Sequence, residues 1–157
     1  MSVAYGFAGL AFTIFTLWRL IKGAPKRYVF PFFTLSEMNE FCGVHNFDLQ
    51  GIKKGTKSAI VINDNTAIVD NAIFFRGVGG TARNQSIFSK LNSHISNSSE
   101  NFLVFYRTQK NCYHLVGNAA RVGNYWAEII DDKIVYVFPM IFLEGHLGRK
   151  MYQCKMT

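Results

Sequence analysis

Residues 1–18 carry no charged side chain, and Phe7, Leu10, Phe12, Ile14, Phe15, Leu17 and Trp18 make the run strongly apolar. At 1.5 Å rise per residue, a helix continued through Leu20 or Ile21 spans about 30 Å, the hydrocarbon thickness of a bilayer. Arg19, Lys22, Lys26 and Arg27 all follow it, and Trp18 stands where an interfacial aromatic belongs. The pattern predicts a single-pass transmembrane anchor over residues 1–22. The positive-inside rule then puts the N-terminus outside and the C-terminal domain in the cytoplasm. A signal peptide would instead carry its positive charges ahead of the apolar run. The alternative is a buried helix, or one docked on partner subunits, because the run is near the lower length limit for a span and Gly6, Gly9, Thr13 and Thr16 suit close helix packing.

Gly23-Ala24-Pro25 stops that helix, since Pro25 has no amide to donate and biases Ala24 away from helical geometry. Residues 23–33 read as a juxtamembrane linker, 34–143 as one β-barrel domain and 144–157 as a loosely held tail. Thr34 and Glu37 have capping-box spacing, so a short helix is expected over 35–41, with Leu35, Met38 and Phe41 on its apolar face and Gly43 closing it. β-Branched runs at 58–62, 66–69 and 72–75 predict a small meander turning at Asp70-Asn71. A loop over 76–81 leads into a helix expected at 84–95, whose Ile87, Phe88, Leu91 and Ile95 recur at helical spacing. Strands are expected at 102–107, 112–117, 125–130 and 134–143 in hairpin order, with Pro139 marking a bulge or an edge. With 49% hydrophobic and 15% aromatic residues the chain is too apolar for disorder. The expected fold class is α+β, mostly β: an N-terminal transmembrane helix followed by a small, partly closed β-barrel with one inserted helix.

Little in the sequence points to an enzyme. His45, His94, His114 and His146 are far apart, and the adjacent carboxylates Asp131-Asp132 sit where a turn is expected. There is no GxSxG elbow, HExxH pair or Walker loop. Cys42, Cys112 and Cys154 are widely spaced without a CxxC pair, which argues against a disulfide framework or a zinc site. No metal and no cofactor is expected. The net charge of +7 suits an anionic lipid surface or a nucleic acid.

Two features suggest a ligand. Arg76-Gly77-Val78-Gly79-Gly80 lies between a strand and a helix start near Asn84, an arrangement that presents free amides to an anion. It is equally what a strand-to-helix crossover needs, and it lacks the Lys of a P-loop. Tyr106, Tyr113 and one of Tyr125 or Trp126 fall on successive strands, where alternation allows a shared surface on which a base stacks, or a barrel core.

The segment Phe74-Phe75-Arg76-Gly77-Val78-Gly79-Gly80, followed by Asn84-Gln85, Leu91-Asn92, Phe105, Tyr113-His114-Leu115-Val116-Gly117 and Phe138, resembles the PUA-like and SRA-like domains found beside restriction endonucleases. The likeness covers about residues 58–143. Ala82-Arg83-Asn84 stands where those domains usually carry a Gly-Asp pair after the glycine loop. The resemblance implies a small β-barrel that takes a nucleotide, modified base or nucleic-acid end. Together with the residue patterns it leads to a membrane-anchored cytoplasmic binding or sensor module, in defence or signalling, with Arg76, Gly77, Gly79, Gly80, Asn84, Tyr106, Tyr113 and Trp126 around the ligand. Its partners would be membrane lipid, a nucleotide or nucleic acid, and partner membrane subunits or a homo-oligomer. The alternative is a non-catalytic accessory subunit of a membrane complex.

Overall fold

The computed structural model describes residues 31–44, 52–53, 57–77 and 84–156. Nine strands form one sheet: β1 (Phe32–Phe33), β2 (Ile52–Lys53), β3 (Ala59–Ile62), β4 (Ala67–Val69), β5 (Ala72–Arg76), β6 (Phe102–Gln109), β7 (Cys112–Arg121), β8 (Trp126–Ile130) and β9 (Lys133–Phe142). Among the described residues three helices accompany them, α1 (Leu35–Cys42), α2 (Lys90–Asn97) and α3 (Leu147–Lys155). The strand order is β2-β3-β6-β7-β9-β5-β4, with β1 added to β7 and β8 to β9. Every pairing is antiparallel except β3 with β6, the two strands bridged by the meander and α2. The result is a mostly-β half-barrel.

The transmembrane part of the expected fold class is corrected. Among the described residues no helix is long and apolar enough to cross a membrane. The anchor expected over 1–22 and most of the linker after it lie outside the described residues. The fold described here is therefore the half-barrel without a membrane element.

The sheet carries a core on each face. On the larger, Ile60, Ile62, Ile73, Phe75, Phe102, Val104, Tyr106, Phe138, Met140 and Phe142 pack under Ile95 of α2 and under Leu147 and Cys154 of α3. On the other, Ala59, Phe105 and Tyr113 pack under Met38 and Cys42 of α1. We call these the core face and the outer face. The capping box of α1 forms as its sequence requires: Thr34 N donates to Glu37 Oε2 at 2.7 Å, and Glu37 N donates to Thr34 Oγ1 at 3.3 Å. Gly43 closes the helix at φ 69°, in the left-handed region.

A bulge allows both cores to form. Val104 pairs with Gly117 but Phe105 pairs with Leu115, so Val116 is the extra residue of β7. The shift turns Val116 and Ala119 to the core face while Tyr113 packs on the outer one. Gly117 has φ 143°, and a Cβ there would lie 2.7 Å from Phe142 Cζ and 2.8 Å from Glu144 Oε2. Gly117→Ala is expected to cost about 1–3 kcal/mol in chemical denaturation, through backbone strain and overpacking together.

Pro139 sits where β9 exchanges neighbours, from β8 at Val137 to β7 at Met140. Its carbonyl accepts from Val122 N at 2.9 Å, so its missing amide faces the gap between the ends of β8 and β7, where no ladder bond is lost.

Two local expectations are revised. The segment expected as helix over 84–95 is helical only from Lys90, and Phe88, read as buried, is 90% exposed. The Ser89 side chain caps α2 by accepting from Asn92 N, which delays the helix start. Residues expected as a loose tail instead form α3, whose Leu147 N donates to Asn71 Oδ1 at 3.4 Å. At its other end Lys155 Nζ lies 2.6 Å from Asp64 Oδ1, which also accepts from Tyr106 Oη at 2.7 Å.

Lys155 and then Tyr106 hold the Asp64 carboxyl below the usual carboxylate range. A carboxyl depressed in the folded state adds stability above its unfolded pKa of about 3.9 and loses it as pH falls through the lower folded value. The end of α3 is therefore expected to loosen in acid below about pH 4. Amide exchange at Cys154 and Lys155, measured against pH, checks this, and Asp64→Asn should remove the pH dependence.

Candidate nucleic-acid interface

β5 ends at Arg76, yet its edge of β9 does not stay empty. Gly77 N donates to Tyr136 O at 2.7 Å, and Gln85 N donates to Ile134 O at 2.9 Å. Side chains complete the ladder: Tyr136 N donates to Gln85 Oε1 at 2.9 Å and Ile134 N to Asn84 Oδ1 at 3.0 Å. Gln85 Nε2 then returns to Gly77 O at 2.7 Å. Gly77 and Asn84 are thus both tied to β9, and Gln85 staples the two points together. Both side-chain polar atoms of Gln85 and the Asn84 side-chain carbonyl oxygen are engaged in these bonds.

Gly77 is required by space. A Cβ there would meet Asn92 Oδ1 at 2.7 Å, Gln85 Oε1 at 2.9 Å and Phe138 Cε2 at 3.0 Å. Asn92 is fully buried on α2 and donates from Nδ2 to Ser86 O at 2.9 Å, which fixes the helix against the segment that Gln85 ties to β9. A glycine whose backbone is packed this closely lets α2, β9 and the loop root meet at one point.

Beside that point the core face opens through two tyrosines. The rings of Tyr125 and Tyr136 meet edge to face at 5.8 Å, and Tyr125 also lies 5.7 Å from Phe138. Tyr125 is 39% exposed, whereas Phe138 beneath it is fully buried. Phe138 anchors the corner, Tyr136 is half-buried on it, and Tyr125 presents a ring at the surface. Exposed aromatic rings on a rigid sheet suit stacking of a planar base.

The residues expected around a ligand are not all brought together. Gly77 and Asn84 stand at the root just described; Gly79 and Gly80 lie outside the described residues. Arg76 and Trp126 both oppose Val137 across β9, so the two share the outer face, where Trp126 meets Phe74 at 6.0 Å and donates to Glu128 Oε1 at 2.9 Å. Tyr106 is fully buried in the larger core, and Tyr113 is buried in the other core under α1. The two tyrosines are thus on opposite faces, because Tyr113 pairs with Arg107 and Tyr106 with His114. Tyr136 was missed by sequence reasoning, although its alternation with Phe138 and Met140 along β9 places it on the core face. Gln85 stood beside Asn84 in the resemblance to SRA-like domains but was not expected at the site.

Acid–base chemistry is sparse here. Among the described residues no group of His, Cys, Asp and Glu is arranged to hold a metal ion. Burial first, and Cys112 second, push the Cys154 thiol up to about 11, so it stays protonated at neutral pH and is a poor nucleophile. Asp131 and Asp132 form the β8–β9 turn, both at positive φ, as their position in the sequence suggests.

No family model matches the chain, and no curated protein matches it in sequence. Solved structures do match in fold. The SRA domain of SUVH5 bound to fully hydroxymethylated CG DNA superposes with a TM-score of 0.55 at 22% identity, covering 79% of this chain and 94% of that one. The fold is the SRA fold. KRYPTONITE in complex with mCHH DNA gives a TM-score of 0.57 at 19% identity over 79% of this chain, which spans 33% of KRYPTONITE. TagI, a modification-dependent restriction endonuclease, gives 0.58 at 13% identity over 78% of this chain and 52% of its own. In this SRA fold the Gly77–Gln85 root and the Tyr125–Tyr136 corner lie at adjacent positions on the core face.

Proposed function

We propose that this domain is a binding module that takes a base of a nucleic acid, a modified base above all, on the core face beside Gly77. The observation that carries the reading is the half-exposed Tyr125 ring, propped on Tyr136 and Phe138 next to a loop root built without side-chain bulk at Gly77. The SRA fold supports it, since SUVH5 and KRYPTONITE have been solved with methylated or hydroxymethylated DNA and TagI is modification-dependent. The net charge of +7 supports a polyanionic partner. The reading assigns the chain recognition, with any bond-breaking left to a partner, and suits a role in discriminating modified DNA in defence or signalling.

The test is a titration of the full chain with short duplexes and single strands carrying cytosine, methylcytosine or hydroxymethylcytosine at two salt concentrations. Affinity should fall with salt, and one modified form should bind about tenfold or more tightly than the bare one, the scale of one well-read base. Binding no tighter than about millimolar, or equal affinity for bare and modified strands, overturns the reading.

A further inference from the structure

Among the described residues β8 pairs only with β9, so its other side is a sheet edge. The direction of its backbone groups follows from the hairpin. A two-residue turn at Asp131-Asp132 makes Ile130 and Lys133 a hydrogen-bonded pair, and counting back by twos turns the amides of Glu128 and Trp126 into β9. The far side of β9 agrees: Tyr136 N and O bond away from β8, to Gln85 Oε1 and Gly77 N. Ala127 and Ile129 therefore direct their N–H and C=O outward at the edge.

Edge strands in natural sheets are blunted by Lys, Pro or a bulge. β8, Trp126-Ala127-Glu128-Ile129-Ile130, has no Lys and no Pro, and its register with β9 runs unbroken. It is apolar as well, with Ile129 79% exposed, and Val122, 40% exposed, just before it. The charge nearby selects the occupant. Glu128, Asp131 and Asp132 stand against the single Lys133 in this hairpin, in a chain whose net charge is +7. Carboxylates repel a nucleic acid, and antiparallel pairing of β8 with its own copy, centred on Glu128, would set that carboxylate opposite itself. An extended segment with alternating basic and apolar residues meets none of these penalties.

We propose that the β8 edge captures a basic, extended segment of a partner protein by strand addition, through the outward backbone groups of Ala127 and Ile129. Main-chain bonds supply the affinity, and Ile129 with the three carboxylates supplies the selectivity.

The probes are two capped octapeptides, one alternating Lys and Val, the other Glu and Val, titrated into the full chain. The Lys/Val peptide is expected to bind about tenfold or more tightly than the Glu/Val peptide and to slow amide exchange at Ala127 and Ile129. Ile129→Pro removes an outward amide that no ladder bond uses, so circular dichroism should be unchanged while peptide affinity falls about tenfold or more. Ile129→Lys keeps the strand and guards its edge with a charge, and should weaken binding to a similar degree. Equal affinity for the two peptides, no binding, protection elsewhere, or indifference to both substitutions overturns the proposal. So does a concentration-dependent dimer that Ile129→Pro dissolves, which would make a second copy the occupant. DNA binding is read separately, and its loss or retention leaves this result unaffected.

Discussion

Phe138→Ala should lower the unfolding free energy by about 3–5 kcal/mol, the usual cost of removing a fully buried aromatic ring. Phe138 is fully buried on β9, opposite Phe75. It touches three parts of the fold at once: the larger core, the Tyr125 ring at 5.7 Å, and the space above Gly77. The cavity left behind cannot close easily, because backbone hydrogen bonds on both sides of β9 hold its walls. Against a total stability of about 5–15 kcal/mol, such a loss takes a large fraction of it. Urea denaturation followed by circular dichroism measures it. A change below about 1 kcal/mol would mean that the site is not part of the cooperative core.

Tyr125→Ala should weaken binding of the preferred oligonucleotide about 5- to 150-fold, because an aromatic platform contributes about 1–3 kcal/mol per stacked base. Its ring is 39% exposed, so truncation removes little core and binding can be read on a folded protein. Tyr125→Phe keeps the ring and should retain most of the affinity. Trp126→Ala is the internal control, since the adjacent residue in an extended strand faces the other way, where Trp126 meets Phe74. Its effect is expected to stay below about twofold. Fluorescence anisotropy with one labelled strand measures all three variants at the same salt. If Trp126→Ala weakens binding more than Tyr125→Ala does, the ligand lies on the outer face.

Local physics made much of this fold legible in the chain itself. The seven longer strands fall close to where β-branched runs and turn residues put them, because alternation and turn chemistry act over a few residues. The capping box of Thr34 and Glu37, the Asp70-Asn71 and Asp131-Asp132 turns and the special place of Pro139 are likewise short-range properties. The resemblance to SRA-like domains also held for the fold. The apolar run over residues 1–18 sets the hydropathy of that segment, but it lies outside the described residues and contributes no membrane element to the fold described.

Which face each side chain takes was decided by tertiary structure. The register of the β6–β7 hairpin, which pairs Tyr106 with His114 and Tyr113 with Arg107, puts the two tyrosines on opposite faces. Phe88 fits the helical spacing of Ile87 and Leu91, yet it is exposed because the Ser89 cap starts α2 after it. The Gly77–Gln85 staple joins residues that neither periodicity nor propensity links, since it depends on β9, more than 45 residues further on, reaching the same point. The sequence alone determined the seven longer strands and the helix capped by Thr34, because their causes lie within a turn or an alternation. The structure decided the site, because a pocket is made of contacts between elements, and those are fixed only when sheet register and helix docking are complete.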